Sequence, residues 1–201
     1  MIPISGIDYS FNEFINAVKI SLQDRTHRKI GLSEHKEAAV LILLFEKNNS
    51  PHVLVTKRSE KVAVHKGQMS LPGGSVDHVD KDIMETALRE TEEETGVHRT
   101  KIEILGRFDD YITITGFHIA VFVGYTGYPV DYTFNADEIV DHVEVPLETF
   151  TRHEGVDFDK YNYRGTDIIS YRYIFKGNTI WGLTSMMLTD FVQKIILKKM
   201  N

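Results

Sequence analysis

The chain contains no cysteine among its 201 residues. This absence excludes disulfides, thiol catalysis and cysteine-based zinc sites, and it favours a cytoplasmic protein. The chain also lacks a basic tail: 23 Lys and Arg residues face 29 Asp and Glu residues, for a formal net charge of −6. We therefore expect no general binding to nucleic acid or to anionic membranes.

Long apolar runs are also missing. No stretch approaches the roughly 20 residues of a membrane helix, and the N-terminus lacks the charged-then-apolar pattern of a signal peptide. The length suits one domain with a sizeable core. We expect residues 1–34 to form an N-terminal helix and linker, and residues 35–201 to form the main domain.

Strand-like and helix-like patterns alternate along the chain, which predicts an α/β fold. A helix over residues 8–24 begins with Ser10 as its N-cap and has Glu13 three residues later, as in a capping box. The remaining predicted elements are a hairpin of strands 38–45 and 52–57, a strand pair 101–115 and 118–124, strands 143–145 and 170–175, and a helix over about 184–198.

The stretch from Gly67 to Val97 is the most informative part of the sequence, and it reads GQMSLPGGSVDHVDKDIMETALRETEEETGV. Asp82 is a good N-cap residue, and Gly96 is a natural left-handed stop, so a helix is predicted between them. Three glutamates on this helix share one face because they are related by spacings of three and four residues. These residues are Glu90, Glu93 and Glu94.

Clustered glutamates repel one another, and a hard divalent cation reverses the sign of that energy. Mg²⁺ and Mn²⁺ prefer oxygen ligands, and Mg²⁺ is typically held by a few carboxylates together with substrate phosphates. The preceding glycines, Gly73 and Gly74, bring bare backbone close, where a carbonyl can add a ligand. A solvated acidic helix face is the common alternative. A calcium module of the EF-hand kind is disfavoured, because its ligands lie on a loop of about 12 residues.

These residues resemble a known family motif, the Nudix box GX5EX7REUXEEXGU. The resemblance rests on Gly74, Asp80 and the run from Arg89 to Val97, RETEEETGV. Asp80 replaces the first Glu of the box, eight residues separate it from Arg89, and Thr91 fills a usually aliphatic position. The REXXEE core is intact.

The flanking sequence is similar to the coenzyme A pyrophosphatase group of Nudix hydrolases, over roughly residues 35 to 195. Leu71 replaces the usual Phe of that group, and an Arg expected shortly before His65 is absent. The matching residues are Thr56-Lys57-Arg58-Ser59, His65, Gly67-Gln68, Pro72-Gly73-Gly74, Asp77 and Asp80, with the stretches 111–117 and 180–184.

The resemblance implies an α/β/α sandwich with a mixed β-sheet and a loop–helix–loop catalytic motif, and it makes a homodimer a reasonable expectation. It implies metal-dependent hydrolysis of a diphosphate linkage, most closely that of coenzyme A, to 3′,5′-ADP and 4′-phosphopantetheine. ADP-ribose and dinucleoside polyphosphates stay open as substrates. A non-catalytic ligand sensor on the same fold is a further alternative.

The predicted site follows from the glutamate spacing and from the resemblance, which implies the roles of Glu138, His65 and Gln68. Glu90, Glu93 and Glu94, with the Gly73 carbonyl, are the expected ligands of Mg²⁺ or Mn²⁺, and Arg89 is expected to orient the carboxylates. Either Glu93 or Glu138 is expected to take a proton from the attacking water, with Asp137 and Asp141 as lesser choices. The predicted substrate contacts are Lys57, Arg58, His65 and Gln68. The planar Arg58 side chain suits phosphate oxygens, and a surface ion pair is its alternative.

Overall fold

The computed structural model describes residues 10–29, 35–61, 65–113, 115–163 and 166–197. Its α-helices are α1 (Phe11–Gln23), α2 (Ile83–Thr95) and α3 (Gly182–Phe191), and α3 continues into a π-helical turn, Val192–Ile196. The strands are β1 (Lys36–Lys47), β2 (Ser50–Arg58), β3 (Met69–Ser70), β4 (Gly73–Ser75), β5 (Glu103–Arg107), β6 (Tyr111–Ile112), β7 (Phe117–Tyr125), β8 (Ile139–Pro146), β9 (Phe158–Tyr163), β10 (Thr166–Tyr171), β11 (Tyr173–Phe175) and β12 (Asn178–Ile180). No helix within these ranges is long and apolar enough to cross a membrane.

One mixed sheet forms the centre of the molecule. Its main strand order is β3-β2-β1-β7-β5, with β4 beside β1, β6 beside β7 and β8 beside β2. The β1–β7 pair is parallel, and the other pairings in this sheet are antiparallel. The predicted hairpin is confirmed, because Lys47 of β1 faces Ser50 of β2 across its turn.

The central strand β1 is buried on both faces, as its apolar sequence predicts. Successive strand side chains point to opposite faces of a sheet. Ile42 and Leu44 accordingly belong to the core beneath α1 and α3, whereas Leu41 and Leu43 pack with Ala87 of α2. The expected α/β/α sandwich with a mixed sheet is therefore present.

The N-terminal helix joins the larger of these two cores. Ser10 and Glu13 form the predicted capping box, with the Glu13 amide donating to the Ser10 hydroxyl at 3.3 Å. Phe14, Val18 and Leu22 are buried against the sheet. Residues 8 and 9 of the predicted helix lie outside the described residues.

Local signals set both ends of α2. The Asp82 carboxylate accepts hydrogen bonds from the amides of Met84 and Glu85, each at 2.9 Å. Gly96 ends the helix with a φ of +73°, the left-handed conformation that glycine adopts at little cost. Both predicted ends are confirmed.

The predicted strand 101–115 is wrong as a single element. It divides into β5 and β6, because the chain leaves the sheet between them to bury Asp109 and Asp110. Asp109 pairs with Arg25 at 2.6 Å, and Asp110 pairs with Arg107 and His118, at 2.8 and 2.9 Å. Each buried carboxylate is thereby paired with an arginine, as the cost of burying a charge requires.

The predicted strand 170–175 is also wrong as one element, because β10 and β11 separate at Arg172. The amide of Arg172 donates to the Asp157 carbonyl at 2.7 Å, and its guanidinium pairs with Asp159. The strand predicted at 143–145 begins earlier, at Ile139. The last helix begins at Gly182, and residue 198 of its predicted span lies outside the described residues.

We predict that Asp82→Ala lowers the free energy of unfolding by about 1 kcal/mol, because two amides of the first turn of α2 lose their acceptor. Urea unfolding measures the change. Asp82→Asn is the matched control, since asparagine caps helices comparably. Equal stability of the alanine variant and the parent chain would contradict this account.

Candidate active site

The candidate site lies where β1 changes partner. β4 runs beside its first half, at Ala38–Val40, and β2 runs beside its second half, at Leu44–Lys47. Gly73 makes the first contact possible: its φ is +148°, and a Cβ there would lie 2.3 Å from the Ala39 carbonyl oxygen. Only glycine fits this backbone path, so β4 can press closely against β1.

The two glycines of β4 lie directly against the acidic helix α2. A Cβ on Gly74 would lie 2.5 Å from the Glu90 carboxylate, so the missing side chain provides the space that Glu90 occupies. The Gly73 amide donates to Oε2 of Glu94 at 3.2 Å. The bare backbone predicted beside the glutamates is therefore in place.

Arg89 holds two of the glutamates. Its Nη1 donates to Oε1 of Glu90 at 2.8 Å and to Oε2 of Glu93 at 3.0 Å. Its Nη2 reaches the Ser75 carbonyl at 3.1 Å, which ties the helix to the end of β4. These contacts place Arg89 between the two carboxylates, and its role in orienting them for catalysis stays a prediction.

Asp80 in turn holds Arg89. Its carboxylate accepts from Nε at 2.8 Å and from Nη2 at 3.0 Å, and also from the Thr86 hydroxyl at 2.8 Å. Only 1% of the Asp80 side chain is exposed. The hydrogen bonds from Arg89 hold the pKa of Asp80 well below its ordinary value. Sequence analysis placed Asp80 in the motif but did not predict that it holds Arg89.

The three glutamates of the cluster differ in burial. The exposed fraction of the side chain is 2% for Glu94, 16% for Glu90 and 55% for Glu93. Burial raises the pKa of Glu94 to about 8, although Arg58 and the Gly73 amide oppose the shift. Burial also raises the pKa of Glu90, against the hydrogen bond from Arg89. The charges on these two carboxylates are only partly compensated within the protein.

Arg58, at the end of β2, contacts this cluster. Its Nη1 lies 3.4 Å from Oε1 of Glu94. The described structure thus contains an ion pair at Arg58, and the predicted phosphate contact stays a prediction. Lys57 precedes it on β2, where the pairing with β8 is irregular between the two residues, and its predicted substrate contact also stays a prediction.

His65 and Gln68 belong to the loop that precedes the glycine turn. His65 Nδ1 lies 2.9 Å from Gln68 Oε1, and the Gln68 carbonyl accepts from the Arg58 amide at 3.0 Å. The loop is therefore fastened to the strand end that carries Arg58. Residues 62–64 of the loop lie outside the described residues.

Glu138 lies beside the acidic cluster. Burial is the main cause of the raised pKa of Glu90 and Glu94, and the charge of Glu138 raises both pKa values further by a smaller amount. Its carbonyl accepts from the Ser59 amide at 2.6 Å, next to Arg58. Asp137 instead pairs with Lys61 at 2.9 Å, where both side chains are exposed.

A divalent cation fits the chemistry of this donor set. Among the described residues, no three Asp, Glu or His side chains stand close enough together to enclose an ion on their own. The two buried carboxylates Glu90 and Glu94 are hard oxygen donors in a position short of positive charge. Such a pair suits Mg²⁺, which is commonly held by one or two carboxylates and completes its shell with water and substrate phosphates.

Known proteins resemble this chain across most of its length. The sequence is 30% identical over 191 residues to an uncharacterized Nudix hydrolase NudL of Photorhabdus laumondii, covering 92% of this chain and 98% of the relative. It is 27% identical over 190 residues to the NudL of Pectobacterium atrosepticum, covering 93% and 95%.

The fold has solved counterparts as well. A MutT/nudix family protein from Enterococcus faecalis superposes with a TM-score of 0.54 at 17% identity, covering 94% of this chain and 76% of that protein. The profile described as the NUDIX domain matches residues 35–166, which include the glycine turn, α2 and the Glu138 loop. The chain belongs to the NUDIX domain family.

Proposed function

We propose that the protein is a metal-dependent diphosphatase that cleaves coenzyme A or a derivative of it to 3′,5′-ADP and 4′-phosphopantetheine. Hydrolysis of diphosphate linkages in nucleoside diphosphate derivatives is the chemistry of the family. The observation that carries the proposal is the pair of buried, incompletely compensated carboxylates, Glu90 and Glu94. A cation that also binds a diphosphate would supply the missing charge.

The coenzyme A part of the proposal rests on the residues that flank the cluster. Arg58, His65 and Gln68 belong to the stretch that resembles the coenzyme A group. Arg58 contacts Glu94, and the loop carrying His65 and Gln68 is fastened to the Arg58 backbone. A substrate bound at the glutamates would therefore meet this loop. We also propose, from the absence of cysteine, that the protein acts in the cytoplasm and, from the same resemblance, that it acts as a homodimer.

Glu90, Glu93 and Glu94, with the Gly73 carbonyl, are the proposed ligands of Mg²⁺ or Mn²⁺. When bound, such a cation neutralises the diphosphate and lowers the pKa of a bound water. Arg89 orients Glu90 and Glu93 through its two hydrogen bonds.

Glu138 is the proposed base that takes the proton of the attacking water. Its side chain is close enough to act on the charges of Glu90 and Glu94. Glu93 is the second candidate, but it already accepts a hydrogen bond from Arg89 and is the most exposed of the cluster.

We also propose that the Arg58 side chain leaves its ion pair with Glu94 to contact the substrate. With the charge of Glu94 compensated by a bound cation, the attraction that holds Arg58 there would be weaker. The guanidinium can then turn to phosphate oxygens, which its planar donors suit.

A substrate panel tests the function. With Mg²⁺ or Mn²⁺, we expect turnover of coenzyme A to exceed that of ADP-ribose and of diadenosine polyphosphates, measured as initial rates of product formation. Turnover of ADP-ribose without coenzyme A would contradict the substrate assignment. Absence of hydrolysis of every diphosphate, with folded protein and metal present, would favour a ligand sensor instead.

We predict that Glu93→Gln lowers kcat by about 100-fold or more, because the cluster loses one of its proposed ligands. The matched control is Glu92→Gln on the same helix, whose carboxylate pairs with Arg99 away from the cluster. Steady-state rates on the best substrate of the panel give the comparison. The mechanism is wrong if the two variants have the same kcat.

We also predict that Glu94 makes the stability of the protein depend on pH and on bound metal. Its pKa is about 8 in the folded chain against an ordinary value of 4.5, so the folded state binds this proton more tightly than the unfolded state. In EDTA, the titration of Glu94 must therefore lower the free energy of unfolding as the pH rises from about 4.5 to about 8. Mg²⁺ or Mn²⁺ should reverse this loss at pH 8.

Urea unfolding at several pH values in that window measures the effect. We expect Glu94→Gln to have a flatter dependence on pH in EDTA than the parent chain, and a smaller gain from added metal. Glu92→Gln should retain the parent slope. Parallel slopes for the parent chain and Glu94→Gln would refute the assignment.

A further inference from the structure

The loop over residues 133–138 is fastened to the C-terminal end of α2. The amide of Thr133 donates to the Thr95 carbonyl at 2.8 Å, and the amide of Asn135 donates to the Glu94 carbonyl at 3.1 Å. The last carbonyls of a helix have no partner within the helix, and this loop supplies one to each of these two. The helix that carries the acidic cluster therefore sets the position of the loop.

The fit between loop and helix end is close. Gly96 has a φ of +73°, and a Cβ there would lie 2.7 Å from the Thr133 side chain and 2.8 Å from its carbonyl oxygen. The helix stop thus serves two purposes: it ends α2 and leaves room for the loop to lie directly against it.

Asn135 connects this attachment to Glu138. Its Oδ1 accepts from the Asp137 amide at 3.2 Å, and its Nδ2 donates to Oε1 of Glu138 at 3.1 Å. The first contact fixes the orientation of the side-chain amide, because the Asp137 N–H needs an acceptor. The Asn135 carbonyl also accepts from the Glu138 amide at 2.9 Å. One residue therefore binds both the Glu94 backbone and the Glu138 carboxylate.

Glu138 needs such a restraint. Its carboxylate lies near those of Glu90 and Glu94, and its charge adds to the effect of burial in raising the pKa of both. A free side chain would turn toward water, where the repulsion is screened. The Ser59 amide fixes the Glu138 backbone at 2.6 Å, but that bond leaves the side chain able to rotate. The Nδ2 donor of Asn135 acts on the carboxylate itself.

We propose that Asn135 is a positioning residue, which holds the Glu138 carboxylate beside Glu90 and Glu94 so that it can accept the proton of the attacking water. This inference rests on the proposed function and deepens it. The two atoms of the side-chain amide have different roles. Oδ1 stabilises the loop by accepting from the Asp137 amide, and Nδ2 orients the proposed base by donating to Glu138.

Two substitutions separate these roles. Asn135→Asp keeps an oxygen for the Asp137 amide but replaces the Nδ2 donor with a carboxylate oxygen that repels Glu138. Asn135→Ala removes both contacts. We expect Asn135→Asp to lower kcat by about 10- to 100-fold, as small misplacements of a catalytic group do. KM and Mn²⁺ affinity, the latter measured by titration without substrate, should change by less than about twofold, since no ligand is altered.

A double-mutant cycle supplies the decisive readout. If Asn135 acts through Glu138, then Asn135→Asp added to Glu138→Gln should change kcat by less than about twofold, because the group that it positions is already absent. Asn162→Asp is the matched control, since Asn162 donates the same kind of bond to Asp167 at 3.0 Å on the exposed β9–β10 hairpin. It should leave kcat unchanged.

Several outcomes would overturn the inference. Equal losses from Asn135→Asp in the parent and in the Glu138→Gln background would show that Asn135 does not act through Glu138. Parental kcat in Asn135→Asp would show that the Nδ2 donor is not needed. Full activity of Glu138→Gln would remove Glu138 as the base and this inference with it, while hydrolysis in the substrate panel would leave the proposed function standing.

Discussion

The constraint on which the site depends is the burial of like charges on one helix. Glu90 and Glu94 lie one helical turn apart, largely removed from water, and neither has a cation that fully compensates it. An isolated buried carboxylate is costly, and proteins usually neutralise, pair or ligate it. Here Arg58, Arg89 and one backbone amide offset part of the cost. The part of this cost that is not offset favours the binding of a divalent cation together with an anionic substrate.

A chain of hydrogen bonds from Asp80 through Arg89 supports two of the glutamates, Glu90 and Glu93. Asp80 holds Arg89 with two hydrogen bonds, and Arg89 then holds Glu90 and Glu93. Because the pKa of Asp80 is well below its ordinary value, this support stays ionised across the physiological range. A site held in this way is oriented before its ligands arrive, which is the condition that effective catalysis requires.

Sequence predicts those parts of the molecule that are set by neighbouring residues. The ends of α2 follow from Asp82 and Gly96, and the spacing of its glutamates follows from the helical repeat. The break between β5 and β6 could not be predicted in this way, because it depends on cations far along the chain, such as Arg25. The role of Asn135 could not be predicted for the same reason, because it depends on contact with a helix end some forty residues earlier in the chain.

The site therefore has two kinds of parts. The helix, with its glycine turn, carries the groups suited to a cation and a diphosphate, and its geometry leaves little freedom to change. Three segments lie around it: the end of β2, the loop at His65 and the loop at Glu138. Backbone hydrogen bonds join these segments to one another, and they also join the loop before Glu138 to the helix. Such attachments tolerate different side chains, so loops can alter substrate preference while the scaffold stays constant.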